Sequence, residues 1–366
     1  MQYPRSGLRA GFSRQKLYLC FGVAAASLAL SAQIARADEG GVSFWIPGFF
    51  GSLAAVPAQA PGWSGTSIYY HDTVSAGGNV VLAREFELGR VPANLTGPSF
   101  TGNVNASVNI DLFAATYTFA TPVLGAQASV SVLSAYGANS TSLAGTLAGT
   151  VTGPLGGTIS FSRSDAINST IVAFGDVLPM FQLKWNAGVN NYMFYVTGDM
   201  PAGAYDPMRL ANIGIGHWAF DTGFGYTYFD QAAGREASAV LGFTYNFVNP
   251  ATQYQNGVDM HLDWGVSQFL TKQVQVGLVG YLYQEIGCDS GSGDHVGCFQ
   301  SRTVGIGPQF GYIFPIGDKL QGYFNIKAYG EFDAANRPSG WNLWLTFNLS
   351  PAAATPPTSS RPMFTK

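Results

Sequence analysis

The chain has 366 residues but only 18 Lys+Arg and 21 Asp+Glu, so 11% are charged, far below the about 25% of an ordinary soluble domain. With 47% apolar residues, 46 glycines and a formal net charge of −3, it is neither a disordered chain, which needs low hydrophobicity and high net charge, nor a nucleic-acid binder, which needs a basic stripe. Past residue 40 no apolar run is long enough for a membrane helix, which needs about 20 residues.

The first forty residues read as a secretory signal peptide. Arg5, Arg9, Arg14 and Lys16 give a basic start, Leu17 to Ala32 an apolar run, and Ala35 and Ala37 a small-x-small cleavage pattern with the cut between Ala37 and Asp38. Residues 38–63 are apolar, Gly- and Pro-rich and do not alternate. Two readings of them stand: a plug folded into the lumen of the domain that follows, or an irregular lead-in strand.

From residue 64 to 350 the chain alternates apolar and polar side chains between turn residues, the period of a β-strand. Val104, Ala106, Val108, Ile110 and Leu112 share one face, opposite Asn103, Asn105, Ser107, Asn109 and Asp111. Val130 and Val132 oppose Ser129 and Ser131, and Leu262, Trp264 and Val266 oppose His261, Asp263 and Ser267. Phe324, Ile326 and Ala328 oppose Asn325, Lys327 and Tyr329, and Leu343, Leu345 and Phe347 oppose Asn342, Trp344 and Thr346. Polar faces built from Asn, Ser, Thr, Gln, Gly and Tyr, with so few Lys and Glu, suit a lumen better than a water-washed sandwich surface. The fold expected is therefore an antiparallel transmembrane β-barrel of the bacterial outer membrane, apolar faces toward lipid.

Strands are expected near 64–76, 79–91, 104–120, 123–136, 143–163, 177–189, 190–201, 213–229, 237–249, 258–271, 273–287, 301–315, 320–334 and 339–350. That makes 14 if 143–163 is one long strand, and 15 or 16 if "TGPLGG" at 152–157 is a turn and the N-terminal segment adds a strand; the range left open is 12–16. Arg84 breaks the pattern by sharing a face with Leu82, Phe86 and Leu88. Aromatic residues such as Tyr69, Tyr70, Trp185, Tyr192, Trp218, Tyr226, Tyr281, Tyr283, Trp341 and Trp344 suit interfacial girdles.

Short turns at 270–273 and 315–320 flank a long connection holding Cys288 and Cys298. By the rule of short periplasmic turns and longer external loops, the cysteine loop faces outside and the last strand ends in the periplasm. The Pro/Thr/Ser-rich tail 351–366 then reads as a disordered periplasmic extension. The two cysteines are an even number in an exported chain, which favours a disulfide. A metal site with His295 is the alternative, but the spacing matches no zinc pattern.

No GxSxG, HExxH, Walker or CxxC motif occurs, so neither an enzyme nor a cofactor is expected. Asp259, His261 and Asp263 share one strand face, which leaves a barrel hydrolase as a minor reading. Lys184, His217, Tyr254, His261, Asp263, Lys327 and Glu331 are the candidate lumen or substrate-path residues.

The stretches "PAGAYDPMRLANIGIGHWAFDTGFGYTYFD" (201–230), "LGFTYNFVNPATQYQNGVDMHLDWGVSQFL" (241–270), "GIGPQFGYIF" and "EFDAANRPSGW" resemble the MetA-pathway phenol-degradation outer-membrane proteins, as does "GGVSFWIPGFFGSLAAVPAQAPGW" near the start. The motif positions are Asn212, Gly216, His217, Trp218, Asn249, Thr252, Tyr254, Gly257, His261, Asp263, Trp264 and Pro308. The resemblance implies an outer-membrane barrel and a route for hydrophobic or aromatic small molecules, with membrane lipid and such molecules as partners and no nucleic acid. A structural or adhesive barrel with a plugged lumen stands as the alternative.

Overall fold

A computed structural model describes residues 43–77, 95–152, 157–294, 297, 298 and 300–352. The signal segment with Ala37 and Asp38, the strand expected at 79–91 with Arg84, His295 and the tail beyond 352 lie outside the described residues.

Twelve antiparallel strands close into a barrel. They are β1 (Gly62–Gly77), β2 (Leu95–Thr118), β3 (Gln127–Thr152), β4 (Thr158–Ala187), β5 (Asn190–Asp199), β6 (Ala219–Asp230), β7 (Arg235–Asn246), β8 (Asp259–Phe269), β9 (Val274–Glu285), β10 (Arg302–Ile316), β11 (Leu320–Ala335) and β12 (Ser339–Pro351). Each pairs with its neighbours in sequence, and β1 closes the ring on β12 through the register Gly65↔Leu349 to Ser75↔Ser339. Among the described residues, closure leaves no edge strand, as a lipid-embedded sheet requires.

The count of twelve, among the described residues, lies below the 14 read from the alternation and within its range. The segments expected at 123–136 and 143–163 contribute to β3, while the end of 143–163 joins 177–189 in β4. The chain reverses where Thr152 pairs with Thr158. Ser, Thr, Asn and Ala carry β3 and β4 through the stretches that seemed to lack a strand pattern, because each long strand is paired along its length.

One end of the barrel has short connections, such as 188–189, 231–234, 270–273 and 317–319. The other carries 200–218, 247–258 and 286–301. The last of these is closed by the Cys288–Cys298 disulfide, with 4.5 Å between Cα atoms. β12 ends beside the start of β1 at the short-turn end.

Around β6 to β12 the side chains obey the lipid-out rule. Phe220, Phe224, Leu241, Phe243, Val266, Leu278, Phe310 and Phe347 are exposed on the outside, whereas Asp221, Thr244, His261, Asp263, Gln275, Asn325 and Lys327 are buried inside. On β2 the arrangement is reversed. Ile110 and Leu112 are buried inside, and Val104, Ala106 and Val108 line an interior cavity. Asn103 and Asn105 are exposed outside, and Asn109 pairs there with Tyr69 and His71. The 30 residues of β4 make roughly 100 Å of strand, far more than an about 25 Å apolar band needs. β2, β3 and β4 are therefore longer than the apolar band requires; on β2 the apolar set faces inward, while Tyr136 of β3 and Val172 and Phe174 of β4 stay exposed outside. The aromatic residues divide as well. Trp185, Tyr192, Trp218, Tyr226 and Trp341 stand outside, but Tyr70, Tyr281, Tyr283 and Trp344 are buried in the lumen instead of forming a girdle.

Candidate functional site

Residues 43–61 run inside the barrel from mid-lumen to the short-turn end, where β1 begins. This stretch is Gly- and Pro-rich, so it forms no strand of its own, and its backbone groups find partners on the inward side chains of the wall. At its turn, Gly48 N–H donates to Asp263 Oδ1 (2.9 Å) and Phe50 N–H to Asp263 Oδ2 (3.2 Å). Lys327 Nζ donates to the carbonyl oxygens of Gly48 (2.6 Å), Phe49 (3.2 Å) and Phe50 (3.2 Å). One carboxylate and one ammonium, from β8 and β11, thus grip both polar sides of a three-residue stretch of main chain. Gly48 has a φ of 89°, a conformation that glycine adopts without steric cost. Gly265 clears room on β8, since a Cβ there would fall 2.7 Å from Ser52 Oγ.

The grip continues downward. Leu53 N–H donates to Glu236 Oε1 (3.0 Å), Ala55 N–H to Thr227 Oγ1 (3.1 Å) and Ala58 N–H to Gln127 Oε1 (2.6 Å). Above the turn, the Trp45 ring stacks on His261 with centroids 3.7 Å apart. His261 Nε2 lies 3.0 Å from Asp221 Oδ2, which also accepts from Thr244 Oγ1 (2.6 Å). Tyr195 Oη lies 3.3 Å from the same nitrogen. Phe44, Trp45 and Ala55 pack with Met193, Tyr195, Ala219 and Val240 into one buried cluster.

The candidate residues fall into three places. His261, Asp263 and Lys327 converge on the segment's turn. Lys184 also faces inward but lower down, with Nζ 3.4 Å from Val56 O. Glu331 sits nearer the long-loop end, accepting from Tyr281 Oη (2.9 Å) and the Gly340 amide (2.9 Å). His217 and Tyr254 lie buried in the loops 200–218 and 247–258: His217 Nδ1 is 3.0 Å from Trp218 O, and Tyr254 O accepts from the Asn249 amide (2.8 Å). Asn212 likewise braces its own loop, donating to Asp206 O (3.0 Å) and accepting from the Asp206 amide (3.0 Å). Asp259 accepts from Tyr283 Oη (2.6 Å) and Asn246 Nδ2 (3.0 Å). Asp259, His261 and Asp263 thus turn to separate partners and do not hydrogen-bond one another.

Above Trp45, between the inner wall of β1–β4 and the loop 200–218, lies a cavity of about 310 Å³. Its sides are Val104, Val108, Ile110 and Leu112 of β2, with Leu210 and Ile213 of the loop. Asp176 holds the loop in place by accepting from the Gly203 (2.7 Å) and Ile215 (2.7 Å) amides. Sequence reasoning missed Trp45, Asp221, Asp199 and Arg337, and named Asp72 only as a neighbour of His71. The strand parity that put Asp263 inside also reaches Asp221, whereas nothing local marks a loop that folds inward.

A closed barrel with an apolar exterior belt, a polar interior and short turns at one end has the build of an outer-membrane β-barrel. The model of the family described as "Putative MetA-pathway of phenol degradation" matches residues 76–347, and the chain belongs to that family. Among solved structures, the COG4313 outer membrane channel from Pseudomonas putida F1 is similar, with a TM-score of 0.57, 12% identity, and 80% of this chain and 96% of that chain covered. A Pseudomonas aeruginosa FadL homologue is a more distant match, with a TM-score of 0.33, 10% identity, and 89% and 96% covered. No curated protein matches the chain.

Proposed function

We propose that the protein is a channel of the bacterial outer membrane that lets small hydrophobic or aromatic compounds cross passively, with the short-turn end and the tail in the periplasm and residues 1–37 removed on export. The observation that carries this reading is the apolar cavity within the barrel, at the end with the long loops, directly above the segment that occupies the lumen. A hydrophilic pore has no use for a wall of Val, Ile and Leu on its inner face, but a solute that partitions out of water does. Below the cavity, passage requires residues 43–58 to shift, and we assign them the gate. The separate partners of Asp259, His261 and Asp263 favour passage over hydrolysis.

The test is uptake of radiolabelled 4-propylphenol by intact cells of a porin-deficient Gram-negative host, with and without the protein. Faster uptake with the protein is expected. Uptake no faster than with empty vector would remove the transport reading and leave a structural or adhesive barrel.

A further inference from the structure

The cavity is apolar along its sides but not at its ends. Asn139, Thr141 and Asn212 line it and satisfy one another: Asn139 Nδ2 donates to Asn212 O (2.8 Å) and Thr141 Oγ1 to Asn139 Oδ1 (3.0 Å). Asp176 is engaged by two loop amides, as described above. Three other lining groups differ. Asp72 Oδ1, Asp199 Oδ1, and the Nε and Nη1 of Arg337 are buried atoms with no partner in the protein. Leaving a buried polar atom unpaired costs about 1–3 kcal/mol, more when it is charged, so a polar group from outside the chain, water or solute, is stabilised at these atoms.

The two ends carry different chemistry. At one stands Asp199 beside Asp176, offering acceptors alone. At the other stand Asp72, on β1, and Arg337, in the turn between β11 and β12, whose charges act on each other, with Glu331 of β11 acting on Asp72 as well. Arg337 is steadied by the Tyr283 ring, 4.9 Å from its Cζ. This second end thus presents one free acceptor and two free donor nitrogens. A hydroxyl group is the smallest function that answers both, since it donates once and accepts through its lone pairs. A carboxylate answers Arg337 but meets Asp72, Asp176 and Asp199 in the same cavity. An ether satisfies the donors and leaves Asp72 unpaired.

We propose that this cavity is a binding site for uncharged hydroxylated hydrophobic compounds, with the hydroxyl held between Asp72 and Arg337 and the body against the β2 wall. The assignment deepens the transport reading and rests on it. A volume of about 310 Å³ lies at the small end of ligand pockets, which fits a one-ring compound with a short substituent.

The full mature chain in lipid nanodiscs provides the test, by equilibrium dialysis against empty nanodiscs. The probes are 4-propylphenol, its methyl ether 4-propylanisole and 4-propylbenzoate. The wild-type chain is expected to bind the phenol about tenfold tighter than either analogue, the difference that one charge-assisted hydrogen bond makes. Asp72→Val and Arg337→Met should each shrink that gap to about twofold or less, whereas Asp199→Asn should leave it intact. Equal binding of phenol and ether by the wild type overturns the proposal, and so does a preference for the benzoate. A gap that survives both variants, or that closes only with Asp199→Asn, also overturns it. The wild-type comparison decides the matter even where a variant fails to fold. Uptake in cells without any phenol preference in nanodiscs would spare transport and sink this site; the preference without uptake would do the reverse.

Discussion

The two halves of the lumen are built on opposite principles. From β6 to β11 the interior is a polar network that spends itself on the chain's own N-terminal segment, Asp263 and Lys327 on Gly48–Phe50 and His261 on Trp45. From β1 to β4, toward the long-loop end, the interior is aliphatic and encloses space. Polar lumen groups in a barrel are usually read as a solute path, yet here they hold protein, while the space suited to a solute is apolar. The lesson is that a charged residue facing a lumen identifies an anchor as readily as a route.

Removing the anchored segment tests the contrast most severely. Deleting residues 43–58 should raise single-channel conductance in planar bilayers severalfold; unchanged conductance would mean that the segment does not limit passage. Next comes the grip itself. Asp263→Asn should loosen the turn by about 1–3 kcal/mol, because one of the two amides that the carboxylate accepts from, Gly48 or Phe50, is left facing an NH2 group. Hydrogen exchange at the Gly48 and Phe50 amides would report this, and protection equal to wild type would show that the other bonds suffice. On the outside, Phe243→Lys places a charge in the lipid belt and should cost about 2–4 kcal/mol, whereas Asn105→Lys, on the exposed polar face of β2, should cost no more than about 0.5 kcal/mol. Folding titrations in vesicles compare the two, and equal costs would erase the contrast between the two outer faces. Last, replacing Cys288 and Cys298 by serine should free the loop 286–301 at a cost of roughly 2–3 kcal/mol. Urea denaturation would measure it, and the cavity side of the barrel should not respond.

Much of the architecture was legible because alternation reports which residues share a strand face. For β8, β9, β11 and β12 the inward and outward sets read from sequence match the barrel: Leu262 and Trp264 outside with His261 and Asp263 inside, Phe324 and Ile326 outside with Lys327 inside. For β2 the same pattern was read correctly as two faces and assigned to the wrong sides. Alternation carries no sign, and the sign depends on whether lipid or water lies outside at that height. Strand length would have supplied it, but 137–142 and 164–176 were not read as strand. The site was less legible than the fold. His261, Asp263 and Lys327 could be placed on lumenal faces, but their partners come from a stretch more than two hundred residues away that follows no period. His217 and Tyr254 were drawn from motifs that fall in the loops 200–218 and 247–258, away from the lumenal strand faces that alternation reports.

The clamp formed by Asp263 and Lys327 touches only main-chain atoms at 48–50. Its hold is therefore indifferent to what the side chains of Phe49 and Phe50 are. A substitution at either position leaves the clamp's acceptors and donors in place and acts instead through packing, of Phe49 on Trp45 and Trp344 and of Phe50 on Trp45 and Tyr195.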